Sequence, residues 1–540
     1  MAKDSKVDSI KVRMYRQGFG DCFLLTFFAG KKQEFTMLID CGIKYNATPE
    51  FPIANLFDDL KIALTENEGD KPKLDVLVVT HEHWDHVAYF HPTRGGNKNY
   101  FADFEIGQVW LAWTENPKDK EACTINSRLR EGVASLAIAS EELNKNEPEE
   151  AKANAKIYGA DAGARKEFND SIDDVLGFYG MSLERKKKTS EKGIRYKVNG
   201  RISTLTQQAM KNVIKLGGNG KAIKYFKPGK LVADKLTPQG INIYVLGPPK
   251  NSQINKSSPS KGKNKEVYLD IDRFGMSSFI DATLGMGKVN ASSKDQYCPF
   301  GDSVGLTEKE VTEQIKKAGK GKKKSGSSKN EMEPGKAASA FIKSYFDEEN
   351  AHRKIENSWL DIAGQFALQL DGAINNTSLV LAIEFEESGK VLLFPGDAQV
   401  GSWLSWHDYT WKVPTGKKSD GTKTHREVVA EELLNNTVLY KVSHHGSHNA
   451  TLKEKGLEMM THTDLVAMIP EKEDSYNGIL YEELMDRLHE LCKGRVLVSA
   501  DKGHKPENLK KPDELTQEEW DEFEKNLEVD DVFVEYTIKS

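Results

Sequence analysis

The run LDVLVVT, Leu74–Thr80, is continuous in Val and Leu and stops at a polar cluster, as a strand buried on both faces does. The cluster that follows, HEHWDH, sets His81, His83, Asp85 and His86 on the loop leaving that strand. Functional residues gather at such places on α/β scaffolds. Alternate residues of an extended segment point the same way, so His81 and His83 can converge on one point. Asp85 and His86 follow at a turn and can face a second point nearby. Imidazole nitrogens with carboxylate oxygens suit zinc, manganese or iron. A polar loop that happens to be rich in histidine is the plain alternative, and two distant strand ends argue against it. LLFPGDAQ puts Asp397 after an apolar run, and LYKVSHHGSH puts His444 and His445 after another. Singly, a Gly-Asp is a turn and a His-His pair a surface feature. Three strand ends carrying ligand types point together to a metal centre.

The rest of the chain is compatible with that. At 540 residues, 38% hydrophobic and 29% charged, it suits a globular protein with a polar surface. A net charge of −6 does not mark a nucleic-acid binder, so a polyanion would have to be met by a local basic patch. The five cysteines, Cys22, Cys41, Cys123, Cys298 and Cys492, are scattered and form no CxxC pair. This indicates neither a disulfide framework nor a structural zinc knot, and a reducing compartment is expected. The opening MAKDSKVDSI lacks the apolar core of a signal peptide, and no run of about 18 apolar residues occurs. A cytoplasmic location without membrane contact is the expectation.

Residues 1–116 read as the first part of a β-rich domain, with β-type runs SIKVRMYRQ, CFLLTFF and FTMLIDCG before the metal-ligand cluster. Residues 117–235 are polar and helix-favouring and read as a mostly helical insertion. Residues 236–250 hold a core strand, INIYVLG, and 251–340 a second, flexible insertion rich in Lys, Gly and Ser. Residues 341–540 complete the domain, with a helix expected around 338–371 and strands at TSLVLAIEF, KVLLF, TVLYKV, DLVAMIP and RVLVSA. An acidic helix and a terminal strand end the chain.

His81-Glu82-His83-Trp84-Asp85-His86 resembles the signature of the metallo-β-lactamase fold superfamily. Within it the chain is most similar to the ComEC-type branch, named for the competence protein. YRQGFGDCFLLTF resembles that branch's glycine-rich opening, MLIDCG its early aspartate, NNTSLVLAIEF and VLLFPGDAQ its paired strands, and YKVSHHGS its Lys-Val-x-His-His-Gly-Ser segment. The likeness spans about 250 residues, outside both insertions. It implies an α/β fold, the αββα four-layer sandwich, with the site at the open edge between two sheets. It also implies two divalent metal ions, Zn or Mn. His81 and His83 would bind one; Asp85, His86 and His444 would bind the other; Asp397 would bridge them. Asp40 would accept a hydrogen bond from a ligand imidazole and fix its tautomer. His444 is preferred to His445 as ligand because it takes the first position of a His-x-Gly-Ser turn, which leaves His445 to contact substrate or shuttle a proton. The superfamily often adds a third histidine to the first metal. Here His91 follows too soon, His352 sits in or beside an insertion, and His407 and His425 lie beyond Asp397. Water or an unidentified carboxylate is the alternative.

A paired metal site of this kind hydrolyses, activating water, with Asp85 and Asp397 as the catalytic carboxylates beside His445. No GxSxG elbow supports a covalent serine mechanism. The branch favours phosphodiesters, including nucleic acid. Lys186, Lys187 and Lys188, with Lys320, Lys322, Lys323 and Lys324, could hold a polyanion, or simply be solvated loops. Trp84, Trp403, Trp406 and Trp411 could stack bases, or be core. The competing readings are an ester, lactone or thioester hydrolase, and a partner-binding effector of a stress or phage-defence system that recruits protein through its insertions.

Overall fold

A computed structural model describes residues 6–93, 99–145, 172, 175–181, 204–218, 220–250, 280, 283, 313, 363–417, 423–449, 451–472, 480–499 and 509–540. The lysine runs 186–188 and 320–324, His352 and almost all of the 251–340 segment lie outside the described residues.

Among the described residues the architecture is mixed α/β, with two large sheets and a small one. The first sheet has eight strands in the order β16-β17-β1-β2-β3-β4-β5-β6. These are β1 (Ser9–Tyr15), β2 (Phe23–Ala29), β3 (Lys32–Ile39), β4 (Lys73–Val79), β5 (Glu105–Ala112), β6 (Ile223–Phe226), β16 (Leu527–Val529) and β17 (Phe533–Lys539). The second has seven, β15-β14-β13-β10-β9-β8-β7. These are β7 (Lys230–Leu231), β8 (Ile241–Gly247), β9 (Val380–Phe385), β10 (Val391–Phe394), β13 (Thr437–Lys441), β14 (Val466–Ile469) and β15 (Val496–Val498). β11 (Thr410–Lys417) and β12 (Lys423–Val429) form a separate hairpin. Ile223–Phe226, inside the stretch expected as a helical insertion, pairs in parallel with β5, so the chain rejoins the sheet before residue 236.

The pattern in the strands explains the packing. β1 alternates buried Ile10, Val12 and Met14 with half-buried polar residues, whereas β8, β9, β10 and β13 are buried throughout, as central strands covered on both faces are. One core cluster unites Val12, Leu25, Met37 and Val78 of the first sheet with Ile243, Leu381, Leu392 and Leu439 of the second, so the sheets face one another. The outer face of the first sheet packs against the helix Ile53–Leu64, and that of the second against the helices Val400–Trp406 and Glu482–Leu491. Trp403, Trp406 and Trp411, at most 1% exposed, and Trp84, at 2%, are core residues and unavailable for base stacking.

β3 and β4 run parallel in one sheet, and β10 and β13 run parallel in the other. Ligands in α/β sheets collect at the carboxyl ends of such strands. Asp40 follows the end of β3, His81 the end of β4, Asp397 the end of β10, and His444 and His445 the end of β13. No helix among the described residues is long and apolar enough to cross a membrane.

Candidate metal centre

Asp21, His86, Asp397 and His445, all buried, each offer one ligand atom within 4.8 Å of the others. His86 is the hub. Its Nδ1 donates to Asp40 Oδ2 at 2.8 Å and its Nε2 lies 2.9 Å from Asp397 Oδ2. Asp40 also accepts from the Thr80 amide at 2.8 Å and the Thr80 hydroxyl at 2.6 Å, so three donors hold its carboxylate. That hydroxyl proton is thereby committed. His81 Nδ1 lies 3.1 Å from Thr80 Oγ1 and 3.3 Å from Ser378 Oγ. His81 Nε2 and His83 Nε2 are buried without a hydrogen-bond partner, and the two rings stand 4.7 Å apart.

The His444-His445 pair divides. His445 Nδ1 donates to the Pro470 carbonyl at 2.9 Å, and its Nε2 lies 3.2 Å from Asp85 Oδ2 and 3.6 Å from Asp397 Oδ2. His444 is turned toward Asn375, whose Nδ2 is 3.3 Å from its Nε2, and toward Ser447 Oγ, 2.7 Å from its Nδ1. It is His445, with Asp21, that enters the four-residue cluster, not His444. Both residues have positive φ, 43° and 53°, and so does Asp40 at 56°. Left-handed backbone at non-glycine residues costs roughly 1–3 kcal/mol each and is kept where the surroundings impose it.

Two residues of the site were not among the ligands expected from the sequence. Asp21 follows Gly20 and looks like part of a turn. Lys441 ends the apolar strand TVLYK, and a lysine within such a run, 1% exposed, is the sign that could have marked it. Its Nζ is 2.6 Å from Asp21 Oδ2, 3.3 Å from Asp397 Oδ1 and 2.9 Å from the Gly396 carbonyl.

Electrostatics sorts the imidazoles into two kinds. Burial drives His81 well below its ordinary range, with the His86 and His83 charges adding to it, and lowers His83 and His444 to about 4. Burial opposes charge on His86 and His445 too, but the carboxylates around them, Asp397 foremost, raise both. Burial alone would raise Asp85 and Asp397. The imidazolium of His86 outweighs it at Asp85, with His445 helping, and His86, Lys441 and His445 outweigh it at Asp397.

His91, His407 and His425, the other candidates from the sequence, are placed elsewhere. His91 Nε2 lies 3.2 Å from Gln208 Oε1, His407 Nε2 donates to the Lys455 carbonyl, and His425 is exposed on β12. The His86 ring stands 4.2 Å from that of His81, and His444 acts electrostatically on His83. Phe178 and Tyr179, from the stretch expected as an insertion, pack on His83 at 5.2 and 5.4 Å between ring centroids.

The three loops of the site brace one another through their backbones. Asp21 N donates to Asp85 O, Gly42 N to Asp21 O, and Cys41 N to His86 O. A Cβ at Gly42 would stand 2.0 Å from Asp85 O and 2.4 Å from His86 N, where only backbone could yield. Gly42→Ala is therefore expected to destabilise the metal-free protein by about 1–3 kcal/mol or more and to weaken metal uptake. A thermal melt and a metal titration read this, and unchanged values for both would sink it.

The donor chemistry fits divalent cations: neutral imidazole lone pairs and ionised carboxylate oxygens, buried and partly without partners. Asp85 Oδ1 and Asp21 Oδ1 have no hydrogen-bond partner either. None of the curated proteins matches the chain. Residues 15–89, which hold Asp21, Asp40 and the whole of His81–His86, match the family model of the metallo-beta-lactamase superfamily, whose members are metal-dependent hydrolases.

Proposed function

We propose that this protein is a phosphodiesterase or nuclease that holds two divalent ions, Zn or Mn, within an αββα domain carrying two insertions. The observation that carries the metal part is the pair of orphaned nitrogens, His81 Nε2 and His83 Nε2, beside the cluster of Asp21, His86, Asp397 and His445, whose His86 ring stands 4.2 Å from that of His81. The phosphodiester part is supported by the likeness to the competence-protein branch. In this reading His81 and His83 serve one ion, Asp85, His86 and His445 the other, and Asp397 faces both. Divalent ions held there would polarise substrate oxygens and lower the pKa of an attacking water.

The chain's own residues prepare the site. Asp40 and the Pro470 carbonyl take the Nδ1 protons of His86 and His445 and so turn each Nε2 inward. Lys441 offsets the charge of Asp21 and Asp397. Asp85 and Asp397, both held ionised, can orient a proton-bearing nucleophile. Burial of all these groups keeps bulk water from screening them.

The test is cleavage of single- and double-stranded DNA and RNA and of bis-p-nitrophenyl phosphate by the metal-loaded chain. Metal-dependent cleavage is expected. Bound metal without cleavage would move the reaction to ester, lactone or thioester bonds. No bound metal would end the hydrolase reading and leave the partner-binding effector.

Metal uptake is also expected to depend on pH in two ways. His83, lowered to about 4, is already neutral near pH 7, so uptake there releases no proton from it. His86 and His445, raised above 6.5, must give up their protons. Affinity at their ion therefore rises with pH through and above 6.5, with proton release shrinking as it does. Calorimetric titration in two buffers of different ionisation heat reads the release, and none near pH 7 would refute the assignment.

A further inference from the structure

We propose that Phe178, with Tyr179 beside it, positions the His83 imidazole for its ion, so that the stretch expected as a separate insertion is part of the metal site. The inference rests on the metal-hydrolase reading above. The imidazoles assigned to the two ions are not held alike. His86 and His445 each donate an Nδ1 proton, to Asp40 Oδ2 and to the Pro470 carbonyl. His81 Nδ1 has two hydroxyls within reach, those of Thr80 and Ser378. The His83 ring makes no hydrogen bond among the described residues, and its Nε2 is buried without a partner. Metal-binding histidines ordinarily have the second ring nitrogen tied to a carboxylate or carbonyl, which fixes the orientation of the ring.

At His83 aromatic rings take that place. Phe178 stacks on it, with centroids 5.2 Å apart and planes inclined by 26°, and Tyr179 stands edge-on at 5.4 Å and 90°. His81 adds a third ring at 4.7 Å and 69°. Stacked and edge-to-face pairs at such separations attract beyond the area they bury. Together they restrict rotation of the imidazole about its Cβ–Cγ bond without using either nitrogen. An imidazole already confined loses less freedom when it coordinates, and so binds more tightly.

The two rings are themselves anchored. Trp84, next in the chain after His83, donates its amide to the Phe178 carbonyl at 2.7 Å. Gly180, at φ 65°, permits a close approach to the same tryptophan: a Cβ there would meet Leu205 Cβ at 2.7 Å and Trp84 Cε3 at 3.1 Å. Tyr179 and Leu176 also share an apolar core with Leu136 of the helix Lys120–Lys145 and with Phe366 and Leu370 of the helix Ala363–Asn375. Residues 175–181 are therefore tied both to the loop that carries the ligands and to helices that precede and follow them in the chain. Phe178 is half-buried, so its ring can be altered without opening that core.

The experiment compares the full-length wild type with Phe178→Leu, Phe178→Tyr and His83→Ala. Each is stripped with chelator, melted, and titrated well below its melting temperature with Zn²⁺ or Co²⁺ against a competing chelator, with bound metal counted by mass spectrometry. The wild type is expected to bind both ions, and His83→Ala identifies the one that His83 serves. Phe178→Leu, which keeps apolar bulk but loses the ring, should bind that same ion about 10–100-fold more weakly, the range of effect of an outer-sphere partner. The other ion should bind as in wild type. Phe178→Tyr should restore the affinity, because the ring returns. The visible spectrum of Co²⁺ should change in Phe178→Leu and not in Phe178→Tyr, a difference that packing alone does not produce. Wild-type binding and spectrum in Phe178→Leu, equal weakening of both ions, or no restoration by tyrosine overturns the inference and leaves the hydrolase reading intact. A folded wild type that binds no metal overturns that reading, and this inference with it.

Discussion

Lys441→Met is expected to lower the unfolding free energy of the metal-free protein by about 3–5 kcal/mol, the usual effect of removing one member of a buried ion pair. Lys441, Asp21 and Asp397 have side chains at most 2% exposed, so no solvent replaces the lost contacts at 2.6 and 3.3 Å. Methionine fills nearly the same space, and the loss is one of charge rather than packing. Two controls isolate the cause. Asp21→Asn added to Lys441→Met should recover part of the loss, because one of the stranded carboxylates is then gone. Bound divalent metal should recover part as well, because it supplies positive charge to the same oxygens. Denaturant unfolding of both variants, metal-free and loaded, reads all of this. A loss under about 1 kcal/mol without metal, well short of a buried pair, would show that the lysine is not needed to offset these carboxylates.

Asp85→Ala combined with His86→Ala should lower hydrolysis by at least about 10³-fold, or roughly 4 kcal/mol of transition-state stabilisation, the scale of effect a bound metal ion supplies. His86 is the residue through which Asp40 and Asp397 are joined, at 2.8 and 2.9 Å, and Asp85 is the carboxylate that faces His445. The double variant should also bind less metal than wild type, which separates a failed site from a failed measurement. Circular dichroism confirms that the sheets persist. Cleavage within tenfold of wild type would place the reaction elsewhere in the molecule.

Much of the frame was legible because strands β4, β9, β10 and β13 are short apolar runs that stop at polar clusters, a local pattern that needs no knowledge of neighbours. β6 was not, because IKYF is half-buried and sits in a polar stretch; only its pairing with β5 makes it a strand. Between His444 and His445 the alternation rule for extended chain could not choose, since both adopt positive φ and the loop turns where that rule assumes it continues. The tryptophans after Asp397 were ambiguous for a related reason: composition cannot tell a stacking surface from a core.

By itself the sequence determined which strand ends carry the ligand types, since alternation, apolar runs and the spacing within HEHWDH are local properties. Tertiary structure alone decided which of those atoms meet. Asp21, on the loop between β1 and β2, and Lys441, at the end of β13 in the other large sheet, form an ion pair across 420 positions of chain. Charges buried together must be balanced together, and that balance is a property of the folded neighbourhood rather than of any stretch of chain.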